Sequence, residues 1–294
     1  MARPRLTILH LAPHPDDESI GAPATLLQLQ AAGHHVINYP CSFGRAEQVD
    51  TRRAEVEEAC RRAGFELDHG ARGFAISGGD DLAAAQRALT EKVGDRIAAR
   101  QVDILVAPSP HDGHHGHELV GRAARTAVEA CGDRAPRLWL WGLWADLPWP
   151  TLYVGFDERR LDQVIHVLEA HTSQLARNNY RELVRGRARA NRVLGAERIF
   201  GYGSAARGPH PFAELLTEAV RRDGQWRASR ARELEPRAPF AHAPPPRPGD
   251  NPARARTHPL GWWLGQESFS DRMRRERVGD GNCGAPLDPP EGNY

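Results

Sequence analysis

The sequence predicts an α/β protein: an open, mostly parallel sheet with helices on both faces, followed by a proline-rich C-terminal extension. Short apolar runs alternate with stretches of helical spacing through the first half of the 294 residues, the mark of βα units. Eight prolines then fall between Pro236 and Pro259, where extended chain replaces a packed core. Hydrophobic residues at 40% and charged residues at 26% are ordinary globular usage, which excludes wholesale disorder.

Leu6–Ala12 (LTILHLA) is mostly apolar, as expected of a strand buried on both faces. Ile20–Ala32 has helical spacing and stops at Gly33. His35–Cys41 reads as a second strand, and Val49–Ala63 as a helix ending at Gly64. Leu82–Arg100 is a long helix, Asp103–Ala107 a short buried strand, Glu118–Ala130 a helix and Arg137–Trp144 a strand. This succession makes a Rossmann-like core. Beyond Trp149 the alternation stops: Glu158–His171, Gln174–Leu194 and Pro211–Arg222 all read as helices. The expected division is a core over 1–200, then a C-terminal helix, proline-rich arm and tail over 201–294. The tail carries the run LGWWLG, which either docks on the core or frays.

Lys plus Arg number 39 against 38 for Asp plus Glu, a net +1, and the arginines are spread along the chain. No nucleic-acid partner is expected from that balance. No run of about 18 apolar residues offers a membrane span, and the first residues lack a signal-peptide core. Cys41, Cys60, Cys131 and Cys283 are scattered, as in reduced thiols of a cytoplasmic protein. Oligomeric state is left open.

The chemistry concentrates after two strands. Directly behind the first, APHPDDES brings His14, Asp16, Asp17 and Glu18 within five residues, stiffened by Pro13 and Pro15. Open α/β sheets bind ligands at the carboxyl ends of their strands. Carboxylates crowded beside an imidazole repel one another, and a divalent cation relieves that repulsion. His14 and Asp17 have chelate spacing, which leaves Asp16 for proton work. The plainer reading is that Asp17 and Ser19 cap the next helix. Behind the DILVA strand, SPHDGHHGHELVGRAA holds His111, His114, His115 and His117. His114 and His117, three apart, share a face at a helix start. His14, Asp17 and one loop histidine form a three-ligand nitrogen and oxygen site with a position left for water, the pattern of a catalytic zinc.

These residues resemble the LmbE-like, or PIG-L-type, zinc-dependent N-deacetylases of N-acetylglucosamine conjugates. PHPDDE matches the family's AHPDDE, with Pro13 in place of alanine. His114-His115-Gly116-His117 matches its His-Pro-Asp-His, followed by Gly121-Arg122-Ala123 in family style; the aspartate is replaced, so any role it has is lost or moved. Arg52-Arg53-Ala54-Glu55 resembles an R-x-x-E helix, and His171-Thr172-Ser173-Gln174 an H-x-S-Q segment. The resemblance spans roughly residues 6–200. It implies one zinc per chain held by His14, Asp17 and His117, with Asp16 as general base and His114 at the oxyanion. Arg52, Asp80, Trp144 and His171 are candidate substrate contacts. For Arg52 the plainer role is a solvated surface arginine, for Asp80 and Asp81 helix capping, and for His171 a satisfied buried histidine.

RLWLWGLWADLPWP contains Trp139, Trp141, Trp144 and Trp149. The first two share a strand face and suit core packing. The latter two fall at the strand end, where aromatic faces stack on sugar or aglycone rings. Within the family the chain most resembles deacetylases of teicoplanin-like glycopeptide antibiotics. That resemblance implies a small-molecule glycoconjugate substrate; other N-acetylglucosamine conjugates, a thiol-cofactor precursor or an inositol glycoside, are the alternative. Two readings from other classes stand against deacetylation. A magnesium phosphohydrolase suffers from the histidines and from the lack of a D-x-D spacing. A non-catalytic sugar-binding module has no use for PHPDDE, and no G-x-G-x-x-G follows the first strand.

Overall fold

The computed structural model of the chain describes residues 5–69, 81–203, 209–241 and 258–268. Asp80, residues 242–257 of the proline-rich stretch, and everything past residue 268, Cys283 included, lie outside them.

The first half follows the alternation read from the sequence. In chain order come β1 (Thr7–Ala12), α1 (Asp17–Ile20), α2 (Pro23–Ala31), β2 (His35–Pro40), α3 (Val49–Ala63), β3 (Glu66–Leu67), α4 (Leu82–Arg100), β4 (Ile104–Pro108), α5 (His115–Ala130) and β5 (Arg137–Trp141). Gly64 ends α3 with φ 73°, the left-handed conformation expected of a glycine stop. The single helix expected over Ile20–Ala32 is two, because Pro23 opens a new helix at its first residue.

Strands β3-β2-β1-β4-β5 lie side by side and parallel. The chain steps from β1 outward to β3 and then returns to the other side of β1 as β4. That makes the carboxyl ends of β1 and β4 the point where strand order reverses, the usual ligand crevice of such sheets. Side chains alternate between two apolar layers: Ile8, Ile104, Val106, Trp139 and Trp141 face one, with α2, α3 and α6 (Glu158–Leu168). Leu9, Leu11, Leu105, Ala107, Leu138 and Leu140 face the other, with α4 and α5. Trp139 and Trp141 are core residues, as their shared face implied.

The second half departs from expectation. A strand missed in the sequence, β6 (Leu152–Phe156), precedes α6 and is followed by α7 (Thr172–Leu175) and α8 (Tyr180–Phe200). The segment expected as a helix over Pro211–Arg222 is instead a strand, β7 (Phe212–Arg222), antiparallel to both β5 and β6. Then come β8 (Gln225–Ala228), β9 (Arg232–Glu233), β10 (His258–Pro259) and α9 (Gly261–Gly265), which make a ten-stranded sheet among the described residues. The physical reason for the reversal at β7 is tertiary. Glu214 accepts from the Ala24 and Thr25 backbone N–H groups, both at 2.8 Å, and so caps α2. Glu218, opposite Trp139 across the sheet, accepts from Arg232, Arg137 and the Trp139 indole. The LGWWLG run docks rather than frays: Leu260, Trp263 and Leu264 are buried against the α4–α5 layer. Among the described residues no helix is long and apolar enough to cross a membrane.

Candidate metal and active site

Proline and charge break β1 at its carboxyl end, and the turn that follows is unusual. Asp16 sits at φ 140°, a conformation rare for any residue with a side chain. Its carbonyl accepts from Ser19 N at 2.7 Å. Asp17 opens α1 but does not cap it forward: its Oδ2 accepts backward from the His14 N–H at 2.8 Å. Asp16, Asp17 and Glu18 are all buried. Helix capping therefore does not account for the motif.

From β4 the chain reaches α5 through Ser109–His114. Helix α5 begins at His115, three residues earlier than its apolar pattern suggested, so His114 is the residue before its first turn and His117 lies within it. A side chain at Gly121 would meet the Pro108 carbonyl oxygen at 2.6 Å, so this glycine lets α5 lie directly on the strand end. The result is convergence. One ring nitrogen each of His14, His114 and His117 lies within 4.8 Å of the other two, and this group could hold a metal ion. Asp17 joins them, with Oδ2 at 3.3 Å from His14 Nδ1 and Oδ1 at 3.4 Å from His117 Nε2.

Those two separations provide a test of fit. Tetrahedral zinc with ligand bonds near 2.0–2.1 Å places its ligand atoms about 3.3–3.4 Å apart; the His14–Asp17 and Asp17–His117 contacts each have that length, the first through Asp17 Oδ2 and the second through Oδ1. His117 Nδ1 is held by Asp112 Oδ2 at 2.8 Å, which leaves Nε2 facing the site. Asp112, fully buried and missed in the sequence, also accepts from Leu143 N and Trp144 N at 2.6 and 3.2 Å. An aspartate preceding a loop histidine was the available signal.

The electrostatics divide the cluster. Burial lowers the His14 and His114 pKa values, so both rings are neutral. Burial opposes charge on His117 too, but Asp17 and Asp112 outweigh it and raise that pKa. Burial also resists charge on Asp17, yet His117 and His14 hold its carboxyl far below the usual range. Asp16 goes the other way. Burial and the adjacent Asp17 charge push it up to about 8, although His171 and Arg52 pull it down.

Of the remaining candidates, Arg52 is buried on α3, not solvated, and packs against Gly44 near enough for its charge to act on His14 and Asp16. Its Nε has no hydrogen-bond partner among the described residues. Arg53 lies over the Phe43 ring instead. Asp81 caps α4 through Ala84 N, and Asp80 lies outside the described residues. His171 has no exposed surface and meets Glu18, not an open pocket. Trp144 is 43% exposed, whereas Trp149 packs against the core.

With this geometry in view, comparison with known proteins is informative. Residues 9–128 match the family model PIG-L: GlcNAc-PI de-N-acetylase. The matched stretch is under half of the chain. It contains the whole cluster from His14 to His117. A 1D-myo-inositol 2-acetamido-2-deoxy-alpha-D-glucopyranoside deacetylase from Salinispora arenicola (strain CNS-205) is 30% identical over 156 residues, 43% of this chain. The chain spans about half the length of that relative. The crystal structure of the A40926 pseudoaglycone deacetylase Dbv21 superposes with TM-score 0.59 at 17% identity, over 74% of this chain and 98% of that one. GalB, the 4-carboxy-2-hydroxymuconate hydratase of Pseudomonas putida KT2440, does so with TM-score 0.56 at 17% identity, over 74% and 97%. The PIG-L/LmbE-type fold thus hosts more than one reaction, and the fold alone does not choose between them.

Proposed function

We propose that the chain is a zinc-dependent N-deacetylase that removes the acetyl group from an N-acetylglucosaminyl conjugate, releasing acetate and a free amino sugar. One observation carries the reading: His14 and His117 each lie within 3.4 Å of an Asp17 carboxylate oxygen, beside a buried carboxyl, Asp16, pushed up to about 8. The family match over residues 9–128 supports the same reaction class. When bound, zinc supplies Lewis acidity, bringing the pKa of a water it holds to about 7.

His14, Asp17 and His117 hold the ion, and Asp112 fixes the His117 ring so that Nε2 is the donor. Asp16 takes a proton from the attacking water; once the C–N bond breaks, its carboxyl returns that proton to the leaving amine. A base with a pKa near the working pH does both steps well, and the cation favours its ionised form. His114, kept neutral by burial, offers an N–H to the oxygen that becomes negative as the amide carbon turns tetrahedral. Arg52, buried with an unbonded Nε, is suited to a hydroxyl or anionic group of the substrate.

We assign a large, aromatic or peptidic aglycone to the substrate. Two exposed indoles support this: Trp144, tied to Asp112 through its backbone, and Trp262, 65% exposed on α9. Helix α9 is bound to the histidine loop through His111 Nε2 and the Trp263 carbonyl at 2.7 Å. A second reading, an N-acetylglucosaminyl-inositol substrate, is favoured by the relative of 30% identity. The buried, reduced Cys41 and Cys60 suit a cytoplasmic enzyme.

The test combines metal analysis with amine release from free N-acetylglucosamine, an inositol glycoside and a glycopeptide. The expected result is about one zinc per chain, reversible loss of turnover on chelation, and a glycopeptide preference. Asp17→Ala should lose zinc, while His114→Ala should keep it and lose kcat. Zinc loss in His114→Ala with full loading in Asp17→Ala would replace the ligand set by the three histidines. Stoichiometric magnesium with phosphate release would overturn the deacetylase reading.

A further inference from the structure

We infer that Glu18 and His171 are positioning residues for Asp16, and that Glu55 anchors them by holding the turn that carries His171. The inference rests on the assignment of Asp16 as base. A residue held at φ 140° stays there only where its surroundings over-determine it. Here Glu18 does so: its Oε2 accepts the Asp16 backbone N–H at 3.2 Å. The other oxygen of Glu18, Oε1, is 2.5 Å from His171 Nε2 and accepts from Ser19 Oγ at 3.1 Å.

His171 precedes α7, and α7 is itself held. Glu55 on α3 accepts from Ser173 N, Ser173 Oγ and Thr172 Oγ1 at 2.7, 2.7 and 3.0 Å. The R-x-x-E and H-x-S-Q segments, distant in sequence, are therefore two halves of one bracket that ends on the backbone of Asp16.

Glu18 and His171 have no exposed surface, so neither touches substrate. A histidine placed only to fill space would be expected to have both nitrogens satisfied. His171 Nδ1 is buried with no hydrogen-bond partner among the described residues. The side-chain hydrogen bond that His171 does make is the one from Nε2 to Glu18.

The test uses the zinc-loaded full chain. His171→Leu keeps bulk and removes the contact, His171→Gln keeps an N–H for Glu18, and Glu18→Ala frees the Asp16 N–H. His171→Leu and Glu18→Ala should each lower kcat about ten- to a hundredfold, the scale of a misplaced reacting group, with KM and zinc content unchanged. His171→Gln should recover most of that loss. A crystal structure of Glu18→Ala should show residue 16 leaving φ 140° while His14, Asp17 and His117 stay in place.

Wild-type kcat in His171→Leu, or an unchanged φ at residue 16 in Glu18→Ala, would overturn the inference. So would loss of zinc in step with kcat, which would mean that the bracket supports the ligands instead. If Glu18→Ala fails to fold, the His171→Leu and His171→Gln pair decides alone, with thermal melts as the control. An inactive Asp16→Asn beside a fully active His171→Leu sinks only this inference. An active Asp16→Asn sinks the assignment of the base.

Discussion

Asp16 and Glu218 are both buried carboxylates, and the chain treats them in opposite ways. Glu218, within β7, is surrounded by donors: Arg232 forks onto it at 2.6 and 3.0 Å, and Arg137 and the Trp139 indole each approach to 3.0 Å. Burial opposes its charge, but the Arg232 pairing wins and holds its pKa at about 2. Asp16 lies beside two further carboxylates on a strained backbone, and its pKa is pushed up to about 8. A buried charge that is fully paired joins strands together; one left near like charges is poised to exchange a proton.

The sharpest way to break this contrast is Asp16→Asn. It should keep zinc and KM yet lose about two to four orders of magnitude in kcat, as for loss of a general base; ordinary turnover in an amine-release assay would end the comparison. Next in size, Glu218→Ala should strand Arg232 and cost about 3–5 kcal/mol in urea melts, while turnover per folded molecule stays normal. A smaller effect follows from pH. Glu218 ionises near 4.5 when free and at about 2 when folded, so in between the folded chain binds fewer protons. Its contribution to stability is complete above pH 4.5 and is lost as pH falls toward 2. Melts across that window should show the loss in wild type and much less of it in Glu218→Ala. Smallest is Trp262→Ala, expected to raise KM several-fold for a bulky glycoconjugate and not for the free sugar. It is a cleaner probe than truncation after residue 236, which would also strip the buried Leu260, Trp263 and Leu264 from the core.

The parallel half of the fold was readable because each of its signals is local. Apolar runs, glycine stops and chemistry placed at strand ends all act within a few residues, and they pointed to His14, Asp16, Asp17 and a loop histidine; the family resemblance singled out His114 and His117. Strand β7 was misread because Ala213, Glu214, Leu215, Leu216, Glu218 and Ala219 are good helix formers, and the strand is buried on both faces with little alternation. Its true state depends on partners as distant as Thr25 and Arg232. Asp112 was passed over for a similar reason. Beside Gly113 it reads as a turn, and its partners Leu143 and Trp144 belong to a loop thirty residues on. His171 was found as a residue but not as a role, since the role depends on Glu18, 153 positions earlier.

The capping of α2 by Glu214 has a consequence in time. Ala24 is synthesised 190 residues before the carboxylate that accepts its N–H. At about 5–20 residues per second, roughly ten to forty seconds separate the two on the ribosome. The histidine loop waits similarly, because His111 finds the Trp263 carbonyl only 152 residues later. The half of the chain that carries the chemistry is made first and secured last.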